Sequence, residues 1–139
     1  MVFRPKGGFG YSDGDDNTVI PNTLAVFIRK SFQVNDLDEI LSAVVHCDYD
    51  DGFVAYLNGV EVARSYNMGT PGSIVPYDQT TDSDHEAVMY QGGVPDVFIL
   101  DYNDLDGSLQ EGENIFAIEV HNVNSTSSDM SSLFFCLLS

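Results

Sequence analysis

Apolar and polar residues alternate with a period of two along much of the chain, the signature of half-buried strands. In Thr23 to Val34 (TLAVFIRKSFQV), Leu24, Val26 and Ile28 alternate with Ala25, Phe27 and Arg29 and predict a strand. A second is expected from Ile40 to Cys47, turned by Asp48-Tyr49-Asp50-Asp51-Gly52. Phe53 to Leu57 and Val60 to Ala63 flank Asn58-Gly59, a dipeptide that tolerates positive φ at both positions and so predicts a tight hairpin. Further strands are expected at Val97 to Leu100, Glu113 to Val120 and Leu133 to Leu138, with one helical turn at Leu105 to Leu109. Residues 1 to 22 are rich in Gly, Asp and Asn and read as loop. Ser65 to Asp84, with Gly69, Pro71, Gly72 and Pro76, reads as a long loop of the kind that often carries function. Seven or more short strands separated by turn signals predict one all-β domain over 1–139, an antiparallel sandwich or barrel. Phe53, Phe98, Phe116, Phe134 and Phe135 are the expected core aromatics.

Charge narrows the partners. Five lysines and arginines face 22 acidic residues, a formal net charge of −17. Such a chain repels a phosphate backbone and an anionic bilayer, so neither nucleic acid nor membrane is an expected partner. An acidic, lysine-poor surface fits a salty or extracellular setting, and the chain is expected to be secreted or cell-surface and monomeric. No run is long enough to span a membrane as a helix, and no segment reads as a signal peptide. The opening Met1-Val2-Phe3-Arg4-Pro5 reads as the start of a module taken from a longer chain. Cys47 and Cys136 lie in apolar strand-like runs without metal-ligand spacing; two buried thiols and a disulfide between core strands both remain open.

Candidate chemistry is oxygen-rich. Asp13, Asp15, Asp16 and Thr18 crowd one Gly-rich turn, and calcium takes six to eight oxygens from such groups. A plain solvated loop is the competing reading. Asp50 and Asp51 either cap the turn before Gly52, where the chain is expected to bend sharply, or pair with Arg64. Catalysis has little support: His46, His85 and His121 show no metal spacing, and neither a G-x-S-x-G elbow nor a phosphate loop is present. The chain is therefore expected not to be an enzyme.

Several stretches resemble one family: Gly8-Phe9-Gly10-Tyr11 with Asp13-Gly14-Asp15-Asp16-Asn17-Thr18; Asp50-Asp51-Gly52-Phe53 with Tyr56-Leu57-Asn58-Gly59; and Gly112-Glu113-Asn114 through Glu119-Val120-His121, followed by Ser127-Ser128-Asp129. The chain resembles the galactose-binding-like jelly-roll modules of large secreted bacterial proteins. The resemblance implies a β-sandwich and a structural calcium held between the early acidic loop and a late strand glutamate, here Glu119. It also implies a non-catalytic carbohydrate-binding module that targets a larger secreted enzyme to polysaccharide or oligosaccharide. Sugar hydroxyls are read by fixed polar groups with an aromatic ring on the apolar sugar face. Tyr49, Asp51, Arg64, Tyr66, Asn67, Tyr77, His121 and Asp129 are the candidate ligand residues, with Asp51, Arg64, His121 and Asp129 equally readable as loop stabilisers. The chain has no tryptophan, the commonest sugar platform. The alternative is a calcium-stabilised spacer, or a module that docks other domains of its parent protein.

Overall fold

The computed structural model describes residues 2–3, 9–11 and 18–139. Among the described residues, ten strands form two sheets. β1 is Val2–Phe3, β2 Phe9–Tyr11, β3 Thr18–Val19, β4 Ala25–Val34, β5 Ala43–Tyr49, β6 Gly52–Leu57, β7 Val60–Arg64, β8 Asp96–Leu100, β9 Gly112–His121 and β10 Met130–Leu138. One sheet runs β3-β2-β10-β5-β8, with β1 also paired to β10; the other runs β4-β9-β6-β7. All pairings are antiparallel except β2 with β3. The four-stranded cores β2-β10-β5-β8 and β4-β9-β6-β7 exchange the chain between sheets in the order of a jelly roll, so the expected sandwich is present.

Alternation sets the two faces. On β9, Asn114, Phe116, Ile118 and Val120 are buried. On β5, Ala43, Val45, Cys47 and Tyr49 are buried, while Val44 and His46 are half-buried. Phe53 of β6 ties the sheets together: its ring meets Tyr49 at 4.7 Å and Phe98 and Phe134 at 5.4 Å, each edge to face. That arrangement adds to the burial of four large rings. Asn58 (φ 49°) and Gly59 (φ 83°) close the β6–β7 hairpin as their sequence predicts. The Asn58 side chain then joins the hairpin to β9. Its amide donates to the Ser108 carbonyl and Asn114 Oδ1, both at 2.7 Å, and its Oδ1 accepts from the Ile115 N–H.

Three expectations need correction. The segment 1–22 is not wholly loop, since β1, β2 and β3 lie within it. These strands are two or three residues long, and at that length no alternation can register. The helical turn is α1, Tyr102–Leu105, rather than Leu105–Leu109. It starts early because Asp101 caps it: its carboxylate accepts from the Asn103 and Asp104 amides while Asp104 accepts from the Asp101 N–H. Gly52 has no left-handed backbone; a Cβ there would sit 2.6 Å from Thr81 Cγ2 and 2.9 Å from Met68 Cγ, so close approach of the following loop is what excludes a side chain. The two cysteines lie on adjacent strands, Cys47 opposite Phe134 and Cys136 opposite Val45.

Candidate functional site

The loop from Ser65 to Asp84 folds back over one end of the outer face of the four-stranded sheet. Arg64 anchors it. The guanidinium grips Glu61 through Nε (2.8 Å) and Nη2 (3.0 Å) and donates to the carbonyls of Met68 (2.9 Å) and Ser73 (2.7 Å). This is the planar, bidentate use to which arginine is suited. Arg64 therefore pairs with Glu61, not with Asp50 or Asp51. Asn67 ties the same loop to the carbonyls of Asp51 (3.1 Å) and Ser83 (2.7 Å). His121, fully buried, meets the Gln79 carbonyl at Nδ1 (2.7 Å) and Glu119 at Nε2 (3.3 Å).

Beyond the loop the sheet face stays open as a cleft of about 570 Å³. Phe27 and Arg29 of β4 project into it because Val26 and Ile28, the other half of the alternation, face inward. Register sets Phe27 beside Glu119, and Arg29, Ala117, Tyr56 and Glu61 in one row across four strands. Ser73 and Ile74 form the loop-side wall, and Ile74 is 92% exposed. Tyr56 donates its phenol proton to Glu119. Burial first, and that hydrogen bond next, hold the Tyr56 phenol well above its ordinary value of 10. The cleft thus joins a half-exposed ring, an arginine and carboxylates held by neighbours.

A second constellation lies around the β5–β6 turn. Asp51 caps two loops: its Oδ1 accepts from the His85 N–H (3.1 Å) and its Oδ2 from the Val123 N–H (2.7 Å). Asp48 accepts from the amides of Val88 and Met89 at 2.8 and 3.0 Å. These bonds bring Asp50, Glu86 and Asp129 together, with one carboxylate oxygen of each within 4.8 Å of the others. Burial, then the carboxylates of Asp51, Asp129 and Glu86, push the Asp50 carboxyl up to about 8. Glu86 is raised by burial, then by Asp129 and Asp51.

The residues singled out in the sequence fall into separate groups. Tyr49, Asp51, Arg64, Asn67 and His121 are buried and bonded inside the fold, so they position loops and do not face solvent. Tyr49, for instance, donates to Asp96 (2.8 Å) and stacks on His85 at 4.0 Å. Tyr66 and Tyr77 are exposed, outside the cleft lining. Asp129 joins the carboxylate group. Asp13, Asp15 and Asp16 lie outside the described residues, and Thr18 opens β3. Glu119 is buried and held by Tyr56 and His121. Sequence reasoning missed Phe27, Arg29, Tyr56 and Glu86, and it read Asp50 only as a turn cap or a partner of Arg64. An apolar Phe27 at an outward position of β4 was the available signal for the cleft; nothing local marked Glu86.

No protein-family model matches the chain, and no curated protein does. Similar solved structures include an α-L-rhamnosidase of Streptomyces avermitilis complexed with L-rhamnose, at 18% identity and a TM-score of 0.49. Others are a β-glucuronidase of an uncultured Clostridium sp. (14%, 0.42) and a β-D-glucuronidase of Dictyoglomus thermophilum (13%, 0.48). These matches cover 86%, 81% and 98% of this chain, but it spans only 9%, 19% and 28% of the respective proteins.

Proposed function

We propose that this chain is a non-catalytic carbohydrate-binding module of a larger secreted or cell-surface protein, taking a polysaccharide or oligosaccharide in the cleft on the outer face of the β4-β9-β6-β7 sheet. The observation that carries the reading is the cleft itself. It sets the Phe27 ring beside Arg29, Glu61, Ser73 and the Tyr56–Glu119 pair. A pyranose offers the matching surface, an apolar face ringed by hydroxyls. Neighbours fix Glu61, Ser73, Tyr56 and Glu119 in advance, which lowers the ordering entropy of binding. Linked to a catalytic domain, the module would raise that domain's local concentration at its substrate.

The test is affinity electrophoresis and a glycan array covering plant, algal and microbial polysaccharides. Phe27→Ala and Arg29→Ala should each weaken binding by on the order of tenfold, with unchanged thermal unfolding, as expected for losing roughly 1–2 kcal/mol of stacking or charged hydrogen bonding. Tyr66→Ala and Tyr77→Ala should bind as the parent does. The reverse pattern would move the site to the loop tyrosines. A second reading, docking of another domain of the parent protein, is favoured by the exposed apolar rim of Ile74 and Phe27. A blank array with folded protein would select it.

A further inference from the structure

We propose that Asp50, Glu86 and Asp129 form a binding site for a divalent cation of the calcium class, which ties together the β5–β6 turn, the segment before Met89–Gln91 and the loop before β10. The first observation is geometric. One oxygen from each carboxylate lies within 4.8 Å of the other two. Oxygens sharing one calcium ion, at about 2.3–2.6 Å from it, fall within about 5 Å of each other. The second observation concerns Asp50 alone. It is 4% exposed, and the side chain that hydrogen-bonds its carboxyl is another acid, Asp51. The charges that act on it belong to Asp51, Asp129 and Glu86, all negative. A buried carboxylate facing only carboxylates is unfavourable unless a proton or a cation neutralises it, and a shared cation does so for all three at once.

The neighbouring acids differ in this respect. Asp48 and Asp51 satisfy both oxygens with backbone amides, and those bonds hold His85, Val88 and Val123 in place around Asp50, Glu86 and Asp129, the last of which also accepts from the Ser128 hydroxyl at 3.0 Å. They fix the ligand positions before any ion arrives. Glu86 is exposed and Asp129 half-buried, so an ion can reach Asp50 from solvent. An all-oxygen set without His or Cys ligands suits calcium or magnesium, not zinc or copper. The site is separate from the cleft, so its test does not depend on glycan binding.

The experiment is isothermal titration of chelator-treated full chain with calcium chloride, with thermal unfolding followed in parallel. Sodium chloride at matched ionic strength controls for screening of the −17 chain. Calcium should bind at one such site and raise the melting temperature by several degrees above the salt control. Glu86→Gln and Asp129→Asn, at more accessible positions, should stay folded and weaken binding by on the order of tenfold or more, since ligand charge tunes calcium affinity. Asp50→Asn should abolish the response. The proposal is overturned if calcium does no more than matched salt. It is equally overturned if all three variants respond like the parent. Loss of response only on neutralising Asp13, Asp15 and Asp16 would place the ion at the first loop and also sink it.

Discussion

Nε2 of His121 stands 3.3 Å from Oε2 of Glu119, two residues back on the same face of β9, and both side chains are buried. Gln79 meets the other ring nitrogen. The pair therefore links the sheet to the loop that walls the cleft. Removing one member leaves a buried partner short of a hydrogen bond. His121→Ala should lower stability by about 3 kcal/mol, toward the lower end for such pairs because Tyr56 still serves Glu119. Urea unfolding measures the loss, and hydrogen exchange around Gln79 should quicken. A loss under about 1 kcal/mol would mean the contact contributes no more than an exposed ion pair.

Gly52 makes a separate case, because space and not backbone conformation excludes a side chain. A Cβ would press on Thr81, Met68 and Asn67, at 2.6, 2.9 and 3.0 Å. Met68 and Asn67 are themselves buried. Gly52→Ala should cost about 1–3 kcal/mol as an overpacking change, and the loop from Ser65 to Asp84 should become more sensitive to limited proteolysis. Wild-type melting together with wild-type protease resistance would show that the loop shifts without penalty.

The same glycine shows which part of the molecule was legible in the sequence. In the sequence Gly52 reads as a turn because glycine's backbone freedom is a local property, whereas the approach of Thr81 depends on a fold-back some thirty residues later. Strands long enough to alternate, such as the Val26–Ile28 and Phe116–Ile118 runs, were readable. So was the Asn58-Gly59 hairpin, whose signal lies within two residues. β2 and β3 were not, because β2 takes its order from pairing with β10, far away in sequence, and β3 from pairing with β2. The candidate site divides in the same way. Arg64 and His121 carried a visible signal as rare cationic or polar residues in apolar runs, yet their partners Glu61, Ser73, Gln79 and Glu119 depend on where the loop lands. Asp129 was marked by the family-like run that contains it, while its meeting with Asp50 and Glu86 depends on three loops converging. Phe27 was visible as an outward apolar residue, but only the register of β4 against β9 sets it over the cleft.

Tyr56 couples the cleft to alkaline pH. Burial and the Glu119 hydrogen bond raise its phenol above the ordinary value of 10. The unfolded chain releases that proton near pH 10, while the folded chain retains it to higher pH. Above pH 10 the folded state therefore binds more protons than the unfolded state, so stability is full below that point and falls as pH rises. Tyr56→Phe removes both effects. At pH 7 the variant should be less stable by about 1–2 kcal/mol, because Glu119 loses a charge-assisted donor. Between about pH 10 and 11 its stability should fall less steeply, so the two urea midpoints should converge. Absorbance at 295 nm gives the independent check, since the parent should show one more late-titrating tyrosine than the variant. Midpoints that run parallel through this range would mean that the Tyr56 proton is not held by the fold, and the Glu119 bond would then contribute to shape alone.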